Sequence, residues 1–384
     1  MVSPTNRSIF TRSAMIRLGI GWGSVLAMLA AGPLLKAPLP GAPLGIVLAA
    51  IVGVILICSF GVVHEAEHLA RRLGDPYGSL VLTLSIVLIE VVLISAVMLG
   101  PGEHATIARD SVMAVSMIIL NAVIGLSLLI GGIRHGDMEH NRTGASAYLG
   151  MLIVLVSLAF ALPALIGDAG SYTVGQEIPI IVLTLGLYAF FLIRQMGQQA
   201  ENFREVDPRL LAAPSLGAAA PREREHITVI LAEHRTEILL RLGLLVVTVL
   251  PIVLLSHDMA TLLDDGLDRL GAPVALSGIL IAMIVFLPES ITSVRAAMQG
   301  EIQRVSNLCH GALVSTVGLT IPAVLIIGLL TGQQVVLAES PVGLALLGIT
   351  LLLSVATFAA KKVTAVSGAA HLVLFAVYGI TVFS

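Results

Sequence analysis

The chain has 384 residues, of which 57% are hydrophobic and only 12% are charged. A soluble domain is roughly 45 to 50% apolar and about 25% charged, so the composition excludes a water-soluble globule. The net charge of -3 is spread over short clusters and gives no continuous basic face for nucleic acid. Because about 20 apolar residues cross a bilayer, we expect an all-α integral membrane protein.

Apolar segments bounded by glycine, proline and charged residues predict about 11 transmembrane helices. In chain order they are residues 17–35, 44–63, 78–99, 109–132, 147–166, 176–195, 238–256, 272–296, 305–330, 334–358 and 365–383. The long polar stretch 196–237 divides them. We therefore expect a tail and first helix over 1–40, a five-helix set over 41–195, a cytoplasmic loop over 196–237 and a second five-helix set over 238–384.

The distribution of basic residues predicts the orientation. Of the 21 Lys and Arg residues, only Lys36, Arg109 and Arg269 fall in outside segments when the N-terminus is placed in the cytoplasm, which leaves 18 inside. This asymmetry satisfies the positive-inside rule and supports the helix count. The C-terminus is then predicted to lie outside.

Five helices per set make the second set enter the membrane in the opposite direction, which is the inverted-repeat plan of many secondary transporters. A short motif that occurs once in each five-helix set supports an internal repeat. Leu73-Gly-Asp-Pro76 precedes one long apolar run and Leu270-Gly-Ala-Pro273 precedes another, and each run carries one glutamate, Glu90 or Glu289.

Glu90 and Glu289 are the candidate functional residues. A charged residue at the bilayer centre costs about 2.5 to 3.5 kcal/mol on insertion scales, so a purely structural role explains two such residues poorly. Burial favours the protonated carboxyl, whereas an arriving cation favours the carboxylate and displaces the proton. The pair therefore predicts a shared midplane site at which metal ions and protons compete, with no bound cofactor.

Two carboxylates do not fill the shell of six to eight oxygens that Ca2+ prefers. Carbonyl groups freed by Pro288 are one further source of oxygens, because proline removes a helix hydrogen bond. The candidate secondary ligands are Asn121, Asn307, Ser315, Ser85 and Ser290. For each, a hydrogen bond between packed helices is an equally good explanation. His371 is a candidate proton relay, with a packed, hydrogen-bonded histidine as the alternative.

Several segments resemble the ChaA-type proton antiporters of the Ca2+/cation antiporter superfamily. They are Leu73–Leu80 with the helix up to Glu90, Leu287–Ser290, Arg304–Asn307, Gly311–Pro322 and Gly368–Phe375. The resemblance implies a transporter, not an enzyme, in the bacterial cytoplasmic membrane, whose partners are lipid, inorganic cations and protons. It implies that Ca2+ leaves the cell as protons enter, and that Glu90 and Glu289 are the acids of the two α-repeats.

The sequence departs from the wider superfamily at both acids. Relatives carry Gly-Asn-x-x-Glu, whereas this chain has Val87-Leu-Ile-Glu90 and Phe286-Leu-Pro-Glu289. The Gly-Ser-Ser start of the following helix reads Gly311-Ala-Leu313. These losses of oxygen ligands favour the alternative of Na+/H+ or K+/H+ antiport on the same fold.

The segment His64-Glu-Ala-Glu-His68 matches the H-E-x-x-H signature of zinc metalloproteases. An intramembrane protease is therefore a remote alternative, with Asp264 and Asp265 as the distant further ligand. The predicted topology places those aspartates in an outside loop, a membrane thickness away. We instead expect the motif to form an interfacial turn that attracts cations to the inner mouth, or a solvated face. An ion channel is a further alternative, and the sequence does not predict the oligomeric state.

Overall fold

The computed structural model describes residues 10–35, 39–73, 77–98, 105–211, 234–272 and 275–383. Within these ranges lie eleven helices of 18 residues or more. They are α1 (Arg12–Leu35), α2 (Gly41–Leu73), α3 (Tyr77–Met98), α4 (Ile107–His135), α5 (Arg142–Ile166), α6 (Val174–Met196), α7 (Arg235–Leu270), α8 (Ala275–Met298), α9 (Ile302–Thr331), α10 (Pro341–Ala359) and α11 (Ala365–Val382).

Ten of these helices are long and apolar enough to cross a membrane. Helix α3 has 22 residues, and Glu90 is the only charged side chain among them. An all-α membrane fold is thus confirmed. The number of spans, the domain boundaries and the inverted repeat stay predictions.

Helix α7 is longer than predicted. It runs for 36 residues to Leu270, whereas the sequence pattern ends the helix at residue 256. Asp264 and Asp265 therefore lie on a helix, and their expected position in a loop was wrong. A helix of this length spans about 54 Å, more than the hydrocarbon core, so its last turns carry charge. Arg269 pairs with Asp265 one turn away at 2.6 Å, which supports the helix there.

Helix α10 begins later than predicted. Residues 333–340 are extended, and the backbone N–H of Val336 donates to the carbonyl of Ala105 at 2.9 Å. The helix begins only at Pro341, where the side chain of Ser340 accepts a backbone hydrogen bond as the N-cap. Only Val335 and Leu337 are buried in this segment, and apolar composition alone did not distinguish it from a helix.

The two halves of the chain pack across each other. Helix α2 lies along α7, α3 packs against α9, and α8 packs against α4. The second helix of each five-helix set thus contacts the third helix of the other set. This exchange places the helices that carry Glu90 and Glu289 in the same central layer.

One end of the bundle is closed by short elements. Strand β1 (Met138–Glu139) pairs antiparallel with β2 (Lys362–Val363), and we refer to this side as the β1–β2 end. Nearby, the guanidinium of Arg209 donates to the buried carboxylate of Asp207 and holds the pKa of that carboxyl below its usual value. The first part of the predicted loop 196–237 is therefore ordered, and residues 212–233 lie outside the described residues.

Helices α4 and α5 each contain one wider, π-helical turn. In α4 it covers Ile118–Val123, and in α5 it covers Ser157–Ala161. Such turns insert an extra residue into the helix and are frequent at functional sites. The π turn of α4 contains Asn121, one of the candidate ligands.

Candidate functional site

Glu90 lies in the middle of α3 and is 2% exposed. The hydroxyl of Thr316 on α9 donates to its Oε2 at 2.5 Å. The other oxygen, Oε1, is buried and has no hydrogen-bond partner among the described residues. One oxygen of this acid is therefore held by the second half of the chain, and the other is free to take a proton or a cation.

Glu289 lies on α8 and is 4% exposed. Both of its carboxyl oxygens are buried without a partner in the described part of the chain. A buried carboxyl group without partners is costly unless it is protonated or holds a cation. Helix α8 runs through Pro288 without a break. Proline still removes one helix hydrogen bond, so a carbonyl freed by Pro288 stays a prediction.

The contacts of α9 bring the two acids to a similar depth. Cys309 on α9 donates to Ser293 on α8 at 3.5 Å, and these two helices follow each other through a short antiparallel turn. Glu289 lies one turn before Ser293 on α8. Because α9 runs in the opposite direction, Glu289 is level with a point about one turn after Cys309 on α9. Thr316, which holds Glu90, lies about one turn further along α9. We infer that the carboxyl groups differ by about 5 Å in depth along this helix.

Helix α4 packs against α8, the helix that carries Glu289. Gly278 near the start of α8 lies against Ser111 of α4, and Ala297 near its end lies against Gly131. The two helices are therefore parallel over this length. Counting from either contact, Glu289 is level with the π turn of α4.

Both the amide nitrogen and the amide oxygen of Asn121, in that turn, have hydrogen-bond partners. Its amide nitrogen donates to the hydroxyl of Thr350 at 2.8 Å, and its oxygen accepts from Nδ1 of His371 at 3.1 Å. The other ring nitrogen of His371 lies 3.4 Å from the hydroxyl of Thr357. The structure thus places Asn121 and His371 in one network that joins α4, α10 and α11. Among the described residues, neither hydrogen-bonds to Glu90 or Glu289.

The three candidate serines also have partners. Ser85 and Ser290 each donate to the carbonyl four residues earlier in their own helix, both at 2.7 Å. Ser315 accepts a hydrogen bond from the hydroxyl of Tyr188 at 2.9 Å. Each bond serves the helix or its packing, although a hydroxyl that donates its proton keeps lone pairs that can bind a cation.

Asn307 is bound to the β1–β2 end of the molecule. Its amide nitrogen donates to the carbonyl of Phe203 at 2.7 Å, and its oxygen accepts from Gln303 at 2.9 Å. The structure therefore brings Asn307 to the ordered segment after α6, not to either glutamate.

The H-E-x-x-H segment lies within α2. Glu65 accepts from Arg241 of α7 at 2.7 Å, and the same guanidinium donates to Glu237 at 3.2 Å. All three side chains are less than 10% exposed. The expectation of an interfacial turn or a solvated face was wrong for Glu65, because this residue belongs to a buried ion triad. The described residues contain no cluster of three His, Cys, Asp or Glu side chains fit to hold a metal.

Two groups in this region were missed from the sequence. Thr316 follows Ser315 directly, but a threonine in an apolar helix gives no sign of which partner it binds. Arg241 lies at the start of a long apolar run, and this position is the only signal that it is buried.

Comparison with known proteins identifies the protein family that this chain matches. The sodium/calcium exchanger protein family matches residues 43–197 and 240–384. The protein y4hA of Sinorhizobium fredii, named as an ionic transporter, is 34% identical over 329 residues, which is 85% of each chain. The sodium-potassium/proton antiporter ChaA of Escherichia coli is 30% identical over 339 residues, 88% of each chain.

A solved structure supports the same fold. The crystal structure of the H+/Ca2+ exchanger CAX superposes with a TM-score of 0.66 at 15% sequence identity, and the match covers 97% of this chain and 89% of that one. At this identity the likeness concerns the fold.

Proposed function

Because this chain belongs to the sodium/calcium exchanger protein family, and is therefore a secondary cation transporter and not an enzyme, we propose that it exchanges cytoplasmic cations for external protons at Glu90 and Glu289. The observation that carries the proposal is the pair itself. Two buried acids come from opposite halves of the chain, and three of their four carboxyl oxygens have no partner among the described residues. The remote protease alternative is excluded by the family.

The proposed exchange is a competition for the same oxygens. In the proton-loaded state both carboxyl groups are neutral, which suits a buried site. A divalent cation arriving from the cytoplasm replaces two protons, so the charge of the loaded site does not change. The empty, doubly ionised site is too costly in this environment to switch sides. Each reorientation therefore carries either the cation outward or the protons inward.

Charge matching makes Ca2+ the first candidate substrate. One Ca2+ neutralises two carboxylates, and the solved relative of similar fold is named an H+/Ca2+ exchanger. We place the site in the bacterial cytoplasmic membrane, with the N-terminus and the β1–β2 end inside, on the basis of the positive-inside distribution.

A specific observation favours Na+ or K+ as the second candidate. The amide of Asn121 is bound to Thr350 and His371, and that of Asn307 is bound to Phe203 and Gln303, so neither candidate amide oxygen is directed to the acids for the large shell of Ca2+. The E. coli relative is named a sodium-potassium/proton antiporter. The site would then carry a monovalent ion while one acid stays protonated.

The first test replaces each acid by its neutral isostere. In everted vesicles with an imposed proton gradient, we expect Glu90→Gln and Glu289→Gln each to abolish cation-dependent proton flux, because neither amide can exchange a proton for a cation. Glu301→Gln, on a partly exposed surface ion pair with Arg304, is the matched control and should retain flux. Full flux in both site variants, at equal protein levels in the membrane, would overturn the proposal.

The second test identifies the ion. Ca2+, Na+ and K+ are added separately at one fixed pH gradient, and the dissipation of that gradient is recorded. A response to Ca2+ alone supports the first candidate, and a response to Na+ or K+ alone supports the second. Cation flux without any coupled proton movement would identify a channel and contradict both.

A further inference from the structure

A groove of about 730 Å³ runs along the outer surface between α5 and α10, away from the two glutamates. One face of α5 forms its floor through Arg142, Ser146, Gly150 and Ile153, which are spaced at helical repeats. A side chain added at Gly150 would meet no atom within 4 Å, so the groove is open at that point. The floor is about 16 Å long.

The groove is polar at one end and apolar along its length. Arg142, Thr143 and Ser146 lie at the β1–β2 end, and Ile153 of the floor and Val355 of α10 line the groove further along. Ile153 and Val355 are 43% and 38% exposed, so they face the space that lipid occupies around a membrane protein. The polar end of the groove matches a phospholipid headgroup at the membrane surface, and its apolar length matches an acyl chain deeper in the membrane.

Further positive charge surrounds the polar end. Lys361 and Lys362 follow α10 directly and lie 3.7 and 3.8 Å from the carboxylate of Glu139. Arg142 donates to the carbonyl of Ala359, the last residue of α10, at 3.5 Å. We call the group of Arg142, Lys361, Lys362 and Glu139 the rim of the groove. Its three cations and one acid give it a net positive charge, and the two lysines are 74% and 47% exposed.

We propose that this groove binds one anionic phospholipid of the inner leaflet, with the phosphate against Arg142 and an acyl chain along Gly150 and Ile153. Basic groups beside a membrane attract anionic lipid. The exposed hydroxyls of Thr143 and Ser146 can donate to the phosphate oxygens. The bound lipid would fill the space between α5 and α10, which belong to different halves of the chain, and so stabilise their packing.

A second copy of this chain is the rival occupant, because Ser146 and Gly150 form a small-xxx-small pair of the kind that packs helices. A symmetric contact between two copies would bring two sets of Arg142, Lys361 and Lys362 together. Such like charges repel, and an anionic headgroup removes this repulsion. The charge of the rim therefore favours lipid.

Quenching of a tryptophan by brominated lipids tests the proposal in the full-length protein. Trp22→Phe removes the only native tryptophan, and Val355→Trp places a reporter in the groove. Ile193→Trp, on the exposed face of α6 near the same end, serves as the matched reporter. The protein is reconstituted in phosphatidylcholine with a minor fraction of brominated phosphatidylglycerol or of brominated phosphatidylcholine.

We expect the groove reporter, but not the α6 reporter, to be quenched preferentially by the anionic lipid. Basic groups near a membrane contribute about 1 kcal/mol each, so each removed charge should lower the preference about fivefold. Combined Arg142→Gln, Lys361→Gln and Lys362→Gln should abolish it, whereas Arg134→Gln at the same end should not. Equal quenching by both lipids would overturn the proposal. A reporter shielded from both lipids in a protein that is dimeric in detergent would also overturn it, in favour of the second copy.

Discussion

At the scale of single residues, the contact between Thr316 and Glu90 deserves a test of its own because it crosses between the halves. The hydroxyl of Thr316 is the only described donor to this carboxyl group, at 2.5 Å. A hydrogen bond to a charged group contributes about 1.5 kcal/mol or more. The donor therefore favours the carboxylate, which is the form that binds a cation.

We expect Thr316→Val to weaken cation binding roughly tenfold, which corresponds to about 1.4 kcal/mol. Valine keeps the branched shape of threonine and has a methyl group in place of the hydroxyl group. The measurement is the cation concentration that gives half-maximal proton flux in everted vesicles. Thr316→Ser keeps the donor and should behave like the native protein, and unchanged affinity in the valine variant would contradict this role.

The sequence predicted both glutamates as site residues because a charge inside an apolar helix is costly, and the structure shows that both are buried. The sequence did not identify their partners. Asn121 and Ser315 were candidate ligands, with hydrogen bonds between packed helices as the alternative, and in the structure they are bound to Thr350, His371 and Tyr188. Which of several polar groups meet depends on helix rotation and depth, and these are set by packing.

At the scale of helices, the triad of Glu65, Arg241 and Glu237 joins α2 to α7. Its Arg241 side chain is 6% exposed and binds both carboxylates. Breaking a buried ion pair by removing one partner costs about 3 to 5 kcal/mol, because charge is left without compensation. The triad is thus a strong local constraint on how the two longest helices pack.

We expect Arg241→Met to lower the free energy of unfolding in detergent by about 3 kcal/mol or more. Adding Glu65→Gln and Glu237→Gln to the same chain should recover much of this loss, since no unpaired charge then remains. The exposed pair of Arg269 and Asp265 is the control, and Arg269→Met should cost less than about 1 kcal/mol. Equal losses for the single and the triple variant would show that the effect is not electrostatic.

At the scale of the whole molecule, the exchange of neighbours between the halves places the site. Helix α3 packs on α9 and α8 packs on α4, so each acid is enclosed by helices of the other set. This arrangement follows simply if the sets have opposite orientations in the membrane. The orientation can be measured directly.

Cysteine labelling with a membrane-impermeant maleimide tests this topology. In a chain with Cys58→Ala and Cys309→Ala, Leu270→Cys and Phe383→Cys should react in intact cells, because these positions are 81% and 67% exposed and are predicted to lie outside. Lys361→Cys, at a position 74% exposed, should react only in everted vesicles. Labelling of Lys361→Cys and Leu270→Cys from the same side would contradict the predicted topology of the second set, because the three helices α8, α9 and α10 lie between these positions.

The sequence by itself determined the membrane environment, the approximate helices and the two acids, since each depends on hydrophobicity along a single segment. The end of α7, the extended segment before Pro341 and the buried triad were decided by tertiary structure. In each case a distant segment supplies a partner, as Leu39 does for Arg269, Arg241 does for Glu65 and Ala105 does for Val336. The free-energy cost of a polar group in an apolar segment can be recognised from the sequence alone. The partner that offsets this cost is determined only when the helices pack.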